Sequence, residues 1–197
     1  MEQRIATVKR VTKETDIELT LNLDGSGKGC LQTGIGFFDH MLNGFTRHGL
    51  FDLELSCKGD LEVDSHHTIE DVGIVLGSAV KETIGAKIGI KRYGSAILPM
   101  DDALILCAVD LSGRPYLAHE VVYTAPRIGT MDSEMFREFF YAVSYAAGMN
   151  LHLKQISGFN NHHIAECCFK AFAKALDMAV MYESRIDGTW TTKGTLA

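Results

Sequence analysis

The chain has 197 residues, of which 46% are hydrophobic and 22% charged, and its formal charge is −6. These are the proportions of one compact globular domain, or of two small halves sharing a core. The acidic balance excludes a broad basic surface for nucleic acid, while a local cluster of Lys and Arg can still hold a small phosphate; no run of about 18 apolar residues exists to span a membrane.

Residues 3–11 and 16–23 alternate as strands, with Ile17, Leu19, Leu21 and Leu23 on one face and Glu18, Thr20 and Asn22 on the other. Asp24-Gly25-Ser26-Gly27 makes a loop. Residues 35–47 read as a helix closed near Gly49, residues 50–57 as a strand, and residues 65–85 as a long helix ending at Gly85. The order then returns. Residues 103–110 and 115–122 are strand-like around a Ser112-Gly113-Arg114-Pro115 turn. Residues 132–147 form a helix capped by Asp132 or Ser133, residues 150–156 a strand, and residues 162–181 a long helix with an apolar face.

The order β-β-α-β-α therefore occurs twice, and the letters repeat with it. His66-His67-Thr68-Ile69-Glu70 returns as His162-His163-Ile164-Ala165-Glu166, an offset of 96 from position 66 to position 162. This internal repeat implies an α+β fold of two duplicated halves, residues 1–93 and 94–197, each a small sheet with helices packed on one face. The start, Met1-Glu2-Gln3-Arg4-Ile5, lacks the apolar core of a signal peptide. With five cysteines and no Cys-x-x-Cys pair, free thiols in a reducing cytoplasm are expected.

Four of the eight histidines sit in the two adjacent pairs. On a helix the first His and the Glu are i and i+4 and share a face. Adjacent histidines diverge by about 100°, so one pair offers an imidazole to each of two neighbouring sites. Imidazole and carboxylate without thiolate favour Mn, Fe, Co, Zn or Ni. His40 lies in the first short helix, and Glu138 holds roughly the same place in the second half, at an offset of 98. Taken singly, such a histidine also reads as a satisfied, partly buried one, and such a glutamate as a solvated helix carboxylate. His48 and His152 read as orienting or structural, and His119 as a strand residue without a catalytic role.

At these residues the sequence resembles the imidazoleglycerol-phosphate dehydratase family. The resemblance runs through Arg10-Val11-Thr12-Lys13-Glu14-Thr15, Gly36-Phe37-Phe38-Asp39-His40-Met41-Leu42, Arg47-His48-Gly49-Leu50-Phe51-Asp52-Leu53 and Asp64-Ser65-His66-His67-Thr68-Ile69-Glu70-Asp71. It continues through Arg92-Tyr93-Gly94, Pro99-Met100-Asp101, Ser112-Gly113-Arg114-Pro115, Asn161-His162-His163 with Glu166, and Thr192-Lys193-Gly194. The resemblance implies Mn²⁺ as cofactor, two ions per active site. The resemblance implies one ion on His40, His67, Glu70 and His163, and the other on His66, Glu138, His162 and Glu166. The chain departs from the family at Glu138, where His is frequent, at Gly44, where Gln is, and at Trp190-Thr191, where Pro-Ser is.

The reaction implied is loss of water from imidazole glycerol phosphate to give imidazole acetol phosphate, in histidine biosynthesis. No carbonyl flanks the departing proton, so its acidity comes from the imidazole ring, and metal on the ring nitrogens is Lewis-acid catalysis. The resemblance implies Glu14 as acid/base, with Glu166 as a second candidate. It implies Arg92, Arg114, Lys170 and Lys193 as cations for the substrate phosphate, with Glu14 also at the substrate. It further implies a homo-oligomer, a 24-subunit shell of trimers with active sites shared between chains, and dehydratase activity alone. Two other readings of the bare residues stay open: a dinuclear metal hydrolase that releases phosphate, and a metal-storing or metal-sensing oligomer without turnover.

Overall fold

The computed structural model describes residues 3–196; Met1, Glu2 and Ala197, which the two halves were drawn to include, lie outside the described residues. The first sheet comprises β1 (Ile5–Val11), β2 (Thr15–Asn22), β3 (Gly29–Gln32) and β4 (Asp52–Gly59), with α1 (Gly36–Gly49) between β3 and β4 and α2 (His66–Ile84) after β4. The second comprises β5 (Tyr93–Met100), β6 (Ala103–Asp110), β7 (Tyr116–Glu120) and β10 (Asn150–Ser157). Between β7 and β10 lie a hairpin, β8 (Arg127–Ile128) with β9 (Met131–Asp132), and helix α3 (Met135–Ala147); α4 (Asn161–Val180) follows β10.

The strand orders are β1-β2-β4-β3 and β5-β6-β10-β7, the same path drawn twice. The duplicated β-β-α-β-α order holds, with the β8–β9 hairpin added in the second half and one further strand in each four-stranded sheet. In the first it is β3, four residues paired parallel to β4 at the sheet edge. In the second it is β5, an edge strand whose outer position lets it keep Pro99.

One expected cap is corrected. Asp132 does not open α3: it lies in β9, where its carboxylate accepts from Arg127 Nε and Nη2 at 2.8 and 3.2 Å. Nor does Ser133; the helix begins at Met135 behind Glu134, without a side-chain cap. The cause is the tight Gly129-Thr130 turn, which folds the segment into a hairpin before it can wind.

Alternation explains why each sheet is covered on one face. Along β2 the residues Ile17, Leu19 and Leu21 are buried, and along β6 Ala103, Ile105, Cys107 and Val109. Helix α2 packs on β1, β2 and α3, and α4 packs on β5, β6 and α1, so the helices cross between halves and one core runs through both. The two crossings differ. Phe45 of α1 stacks on Phe172 of α4 with ring centroids 5.4 Å apart, each such burial contributing about 1.5–3 kcal/mol. At α2–α3 small residues replace rings: a Cβ added to Gly77 would stand 2.5 Å from Val143 O, so only glycine permits that approach. These crossings carry the starts of α2 and α4, and the histidine pairs with them.

Candidate metal centre

Both paired motifs open a helix, and the local sequence fixes that start. Asn160 caps α4, its side-chain oxygen accepting from the backbone N–H of His162 at 3.0 Å and of His163 at 3.3 Å. At α2, Asp64 Oδ1 accepts from His66 N at 2.7 Å. Placed on successive residues of a first turn, the two rings of each pair splay apart. The planes of His66 and His67 meet at 79° with centroids 6.0 Å apart, and those of His162 and His163 at 80° and 6.2 Å.

The first histidine of each pair turns toward the glutamate one turn on. His162 Nε2 stands 3.2 Å from Glu166 Oε2, and His66 Nε2 4.0 Å from Glu70 Oε2. His40, brought in by the α1–α4 packing, adds a third donor: its Nε2 is 3.5 Å from Glu166 Oε2. The donor atoms of His40, His162 and Glu166 all lie within 4.8 Å of one another. Phe37 closes one side, its ring edge-on to His162 at 5.1 Å. Two imidazole nitrogens and a carboxylate oxygen at this spacing fit a divalent ion of borderline softness.

The second histidine of each pair is held at Nδ1 by a carboxylate: His67 by Asp60 Oδ2 at 2.9 Å and His163 by Asp102 Oδ1 at 2.6 Å. With Nδ1–H donated to a carboxylate, the Nε2 lone pair is left for a metal, as is usual for metal-binding histidines. Each of these Nε2 atoms faces a further carboxylate, Glu14 Oε1 at 3.8 Å from His67 and Asp101 Oδ2 at 3.5 Å from His163.

Charge states follow from these contacts. The backbone N–H groups of Asn160 and Phe159, then His163, hold Asp102 well below the usual carboxylate range. The hydrogen bond that His67 donates to Asp60 raises the His67 pKa. Burial works against ionisation of Glu166, but the Lys170 ammonium 2.7 Å from Oε1, with His40 and His162, prevails and lowers its pKa. Glu166 is thus an ionised ligand-type carboxylate. Glu14, half-exposed at the β1–β2 turn, hydrogen-bonds through its backbone to Thr12.

Not every candidate joins a cluster. Among the described residues, His40 is grouped with His162 and Glu166 and not with His67, Glu70 and His163. Glu138, in the first turn of α3, ion-pairs with Arg137 Nη1 at 3.0 Å. Of the four cations considered for phosphate, Arg92, Arg114 and Lys193 line one cavity of about 430 Å³ together with Trp190, Thr191 and Thr192. Lys170 lies apart, on Glu166. Arg92 is buried and already engaged, Nε and Nη2 with Asp110 at 2.7 and 3.0 Å and Nη1 with the Trp190 carbonyl at 2.9 Å.

Sequence reasoning passed over Asp60 and Asp102. A usable signal existed. The β1–β2 and β5–β6 hairpins pair Ile5 with Asn22 and Tyr93 with Asp110, an offset of 88 that makes Asp102 the counterpart of Glu14. That offset differs from the 96 of the helical motifs, and it is invisible until β5 is recognised.

A family model described as imidazoleglycerol-phosphate dehydratase matches residues 33–176. The imidazoleglycerol-phosphate dehydratase of Lachnoclostridium phytofermentans is 61% identical over 193 residues, covering 98% of each chain. That of Acetivibrio thermocellus is 56% identical over 189 residues, covering 96% of this chain and 97% of its own. Among solved structures, imidazoleglycerol-phosphate dehydratase from Staphylococcus aureus superposes with a TM-score of 0.83 at 37% identity, covering 91% of this chain and 99% of that one. The IGPD from Pyrococcus furiosus gives a TM-score of 0.82 at 36% identity, covering 96% and 100%.

Proposed function

The chain belongs to the imidazoleglycerol-phosphate dehydratase family, a family of hydro-lyases, and on that premise we propose that it removes water from D-erythro-imidazole glycerol phosphate to give imidazole acetol phosphate, a step of histidine biosynthesis. The observation that carries the reading is the pair of duplicated imidazole clusters, each with one histidine turned to a helix glutamate and the next anchored at Nδ1 with Nε2 facing outward.

In the reaction the hydroxyl on the carbon attached to the imidazole ring leaves as water, the next carbon gives up a proton, and the resulting enol becomes the ketone at that next carbon. The metal, Mn²⁺ at two ions per site, supplies Lewis acidity to the imidazole when bound. His40, His162 and Glu166 hold one ion; His66, His67, Glu70, Glu138 and His163 are the further candidate ligands, with Glu138 first needing to leave Arg137. Glu166, ionised and bridged to Lys170, serves as a ligand better than as a proton carrier. Glu14 carries the acid/base role: its carboxylate accepts the proton from the carbon next to the ring-attached one and returns one to the departing hydroxyl or to the ring-attached carbon of the enol.

The phosphate is gripped by Arg114 and Lys193, with Arg92 fixing the wall of the cavity through the Trp190 carbonyl. This cavity's lining includes none of the metal candidates. That separation supports active sites completed by neighbouring copies in a homo-oligomer; the 24-subunit shell of trimers rests on the family resemblance. The five free cysteines support a reducing compartment, the cytoplasm; no described helix is long and apolar enough to cross a membrane.

The test is to incubate metal-stripped protein with imidazole glycerol phosphate, with and without Mn²⁺, and to measure ketone and free phosphate. Mn²⁺-dependent ketone without phosphate release is the expected result. Release of phosphate would show a hydrolase, and metal binding without turnover a storage or sensing protein.

A further inference from the structure

The two anchored histidines, His67 and His163, are held alike by carboxylates that the duplication does not make equivalent. Asp102, the anchor of His163, sits on the β5–β6 turn, and its counterpart on the β1–β2 turn is Glu14. Yet Glu14 does not hold Nδ1 of His67: its Oε1 faces Nε2 instead, at 3.8 Å. Asp60, at the end of β4, occupies Nδ1 at 2.9 Å.

Loop length explains the exchange. The β4–α2 connection runs from Asp60 to Ser65 and brings a carboxylate of its own. The β10–α4 connection is only Gly158-Phe159-Asn160 and contains none. Its first residue has φ 127°, and a Cβ there would stand 2.9 Å from Ala103 Cα, so Gly158 has no room for a side chain. The short loop instead lays the N–H groups of Phe159 and Asn160 on Asp102 Oδ2 at 2.6 and 2.9 Å, leaving Oδ1 for His163. Asp102 therefore serves both the loop and the histidine, whereas among the described residues the Asp60 carboxylate accepts from His67 alone.

We propose that Asp60 is a positioning residue: by taking the Nδ1 of His67 it fixes that ring with Nε2 toward the metal, and it releases Glu14, the counterpart of Asp102, from anchoring so that Glu14 stands free at the site. The inference rests on the reading of His67 as a ligand and Glu14 as the acid/base. Removing an outer carboxylate of this kind weakens metal binding about 10–100-fold.

The experiment is a Mn²⁺ titration of the full-length protein, followed by the electron paramagnetic resonance signal of free Mn²⁺, on wild type, D60A, D60N and E14Q. D60A is expected to weaken Mn²⁺ binding about 10–100-fold. D60N keeps an oxygen to accept from Nδ1–H and is expected to recover most of that loss. E14Q is expected to bind Mn²⁺ as wild type does. D60L, with the same branched heavy-atom shape as D60N but no acceptor, replaces D60A if the alanine variant fails to fold. Wild-type affinity in D60A or D60L, or a D60N no better than them, would overturn the proposal. Wild type that fails to turn over imidazole glycerol phosphate would sink the dehydratase reading while leaving this comparison readable.

Discussion

The two halves share a backbone and divide the chemistry. Both sheets follow the same strand order, and both histidine pairs splay by nearly the same angle. In the second half, His162 and Glu166 gain a third donor from His40 of the first. In the first half the corresponding place across the helix crossing belongs to Glu138, which pairs with Arg137. The turn carboxylate of one half anchors a histidine; that of the other stands free. Duplication thus copies the frame, and loop lengths and single side chains reassign what each copy does on it.

The largest test of that contrast is at the turn carboxylates. Glu14→Gln is expected to lower kcat by about 10²–10⁴-fold, the usual worth of a positioned acid/base, with secondary structure unchanged by circular dichroism. Full activity in that variant would return Glu14 to the status of its counterpart, a structural carboxylate.

The helix crossings give the next effect. Gly77 in α2 corresponds to Ala173 in α4, at the same offset as the histidine motifs. Glycine→alanine at 77 would drive a Cβ against Val143 O and Ala146, and overpacking of this kind costs about 1–3 kcal/mol, measurable as a lowered unfolding midpoint.

The edge strands differ in a titratable group. His119 of β7 occupies the place of Leu31 in β3, as the parallel pairings to β10 and β4 show. Burial pushes the His119 pKa down to about 4 from 6.5, and its Nε2 is buried with no hydrogen-bond partner. The unfolded chain therefore binds the extra proton first. The stability from keeping this ring neutral is complete above pH 6.5 and is lost as pH falls toward 4. His119→Leu removes the term: between pH 7.5 and 5 the variant should lose roughly 2 kcal/mol less stability than wild type in urea melts. Parallel losses would mean that the ring is not buried in solution.

The smallest effect is a gain. Gly44 of α1 corresponds to Ala142 of α3 at an offset of 98, and nothing lies within 4 Å of a Cβ added there. Gly44→Ala should stabilise the protein by about 0.5–1 kcal/mol through helix propensity, seen as a small rise in melting temperature.

Most of the scaffold was legible in the letters. Ile17, Leu19 and Leu21 announced β2 by alternation, and the helices found at 66–84 and 161–180 lie within a residue of their expected limits. The strands that escaped notice were short or at an edge: β3 has only four residues, and β5 carries Pro99. Asp132 read as a cap because its type suits one, while a two-residue hairpin turn upstream had already claimed it.

The sequence by itself determined the local periods and the two halves, because helix and strand faces depend on neighbours a few positions apart, and it nominated eight candidate metal ligands. Only the tertiary structure decided which of these meet. His40 reaches Glu166 through the α1–α4 crossing, Asp102 reaches His163 through a three-residue loop, and Arg92 is claimed by Asp110 and Trp190 rather than left free. Such contacts join residues 18 to 126 positions apart, and their reach is set by how sheets and helices pack, a property no short window of sequence contains.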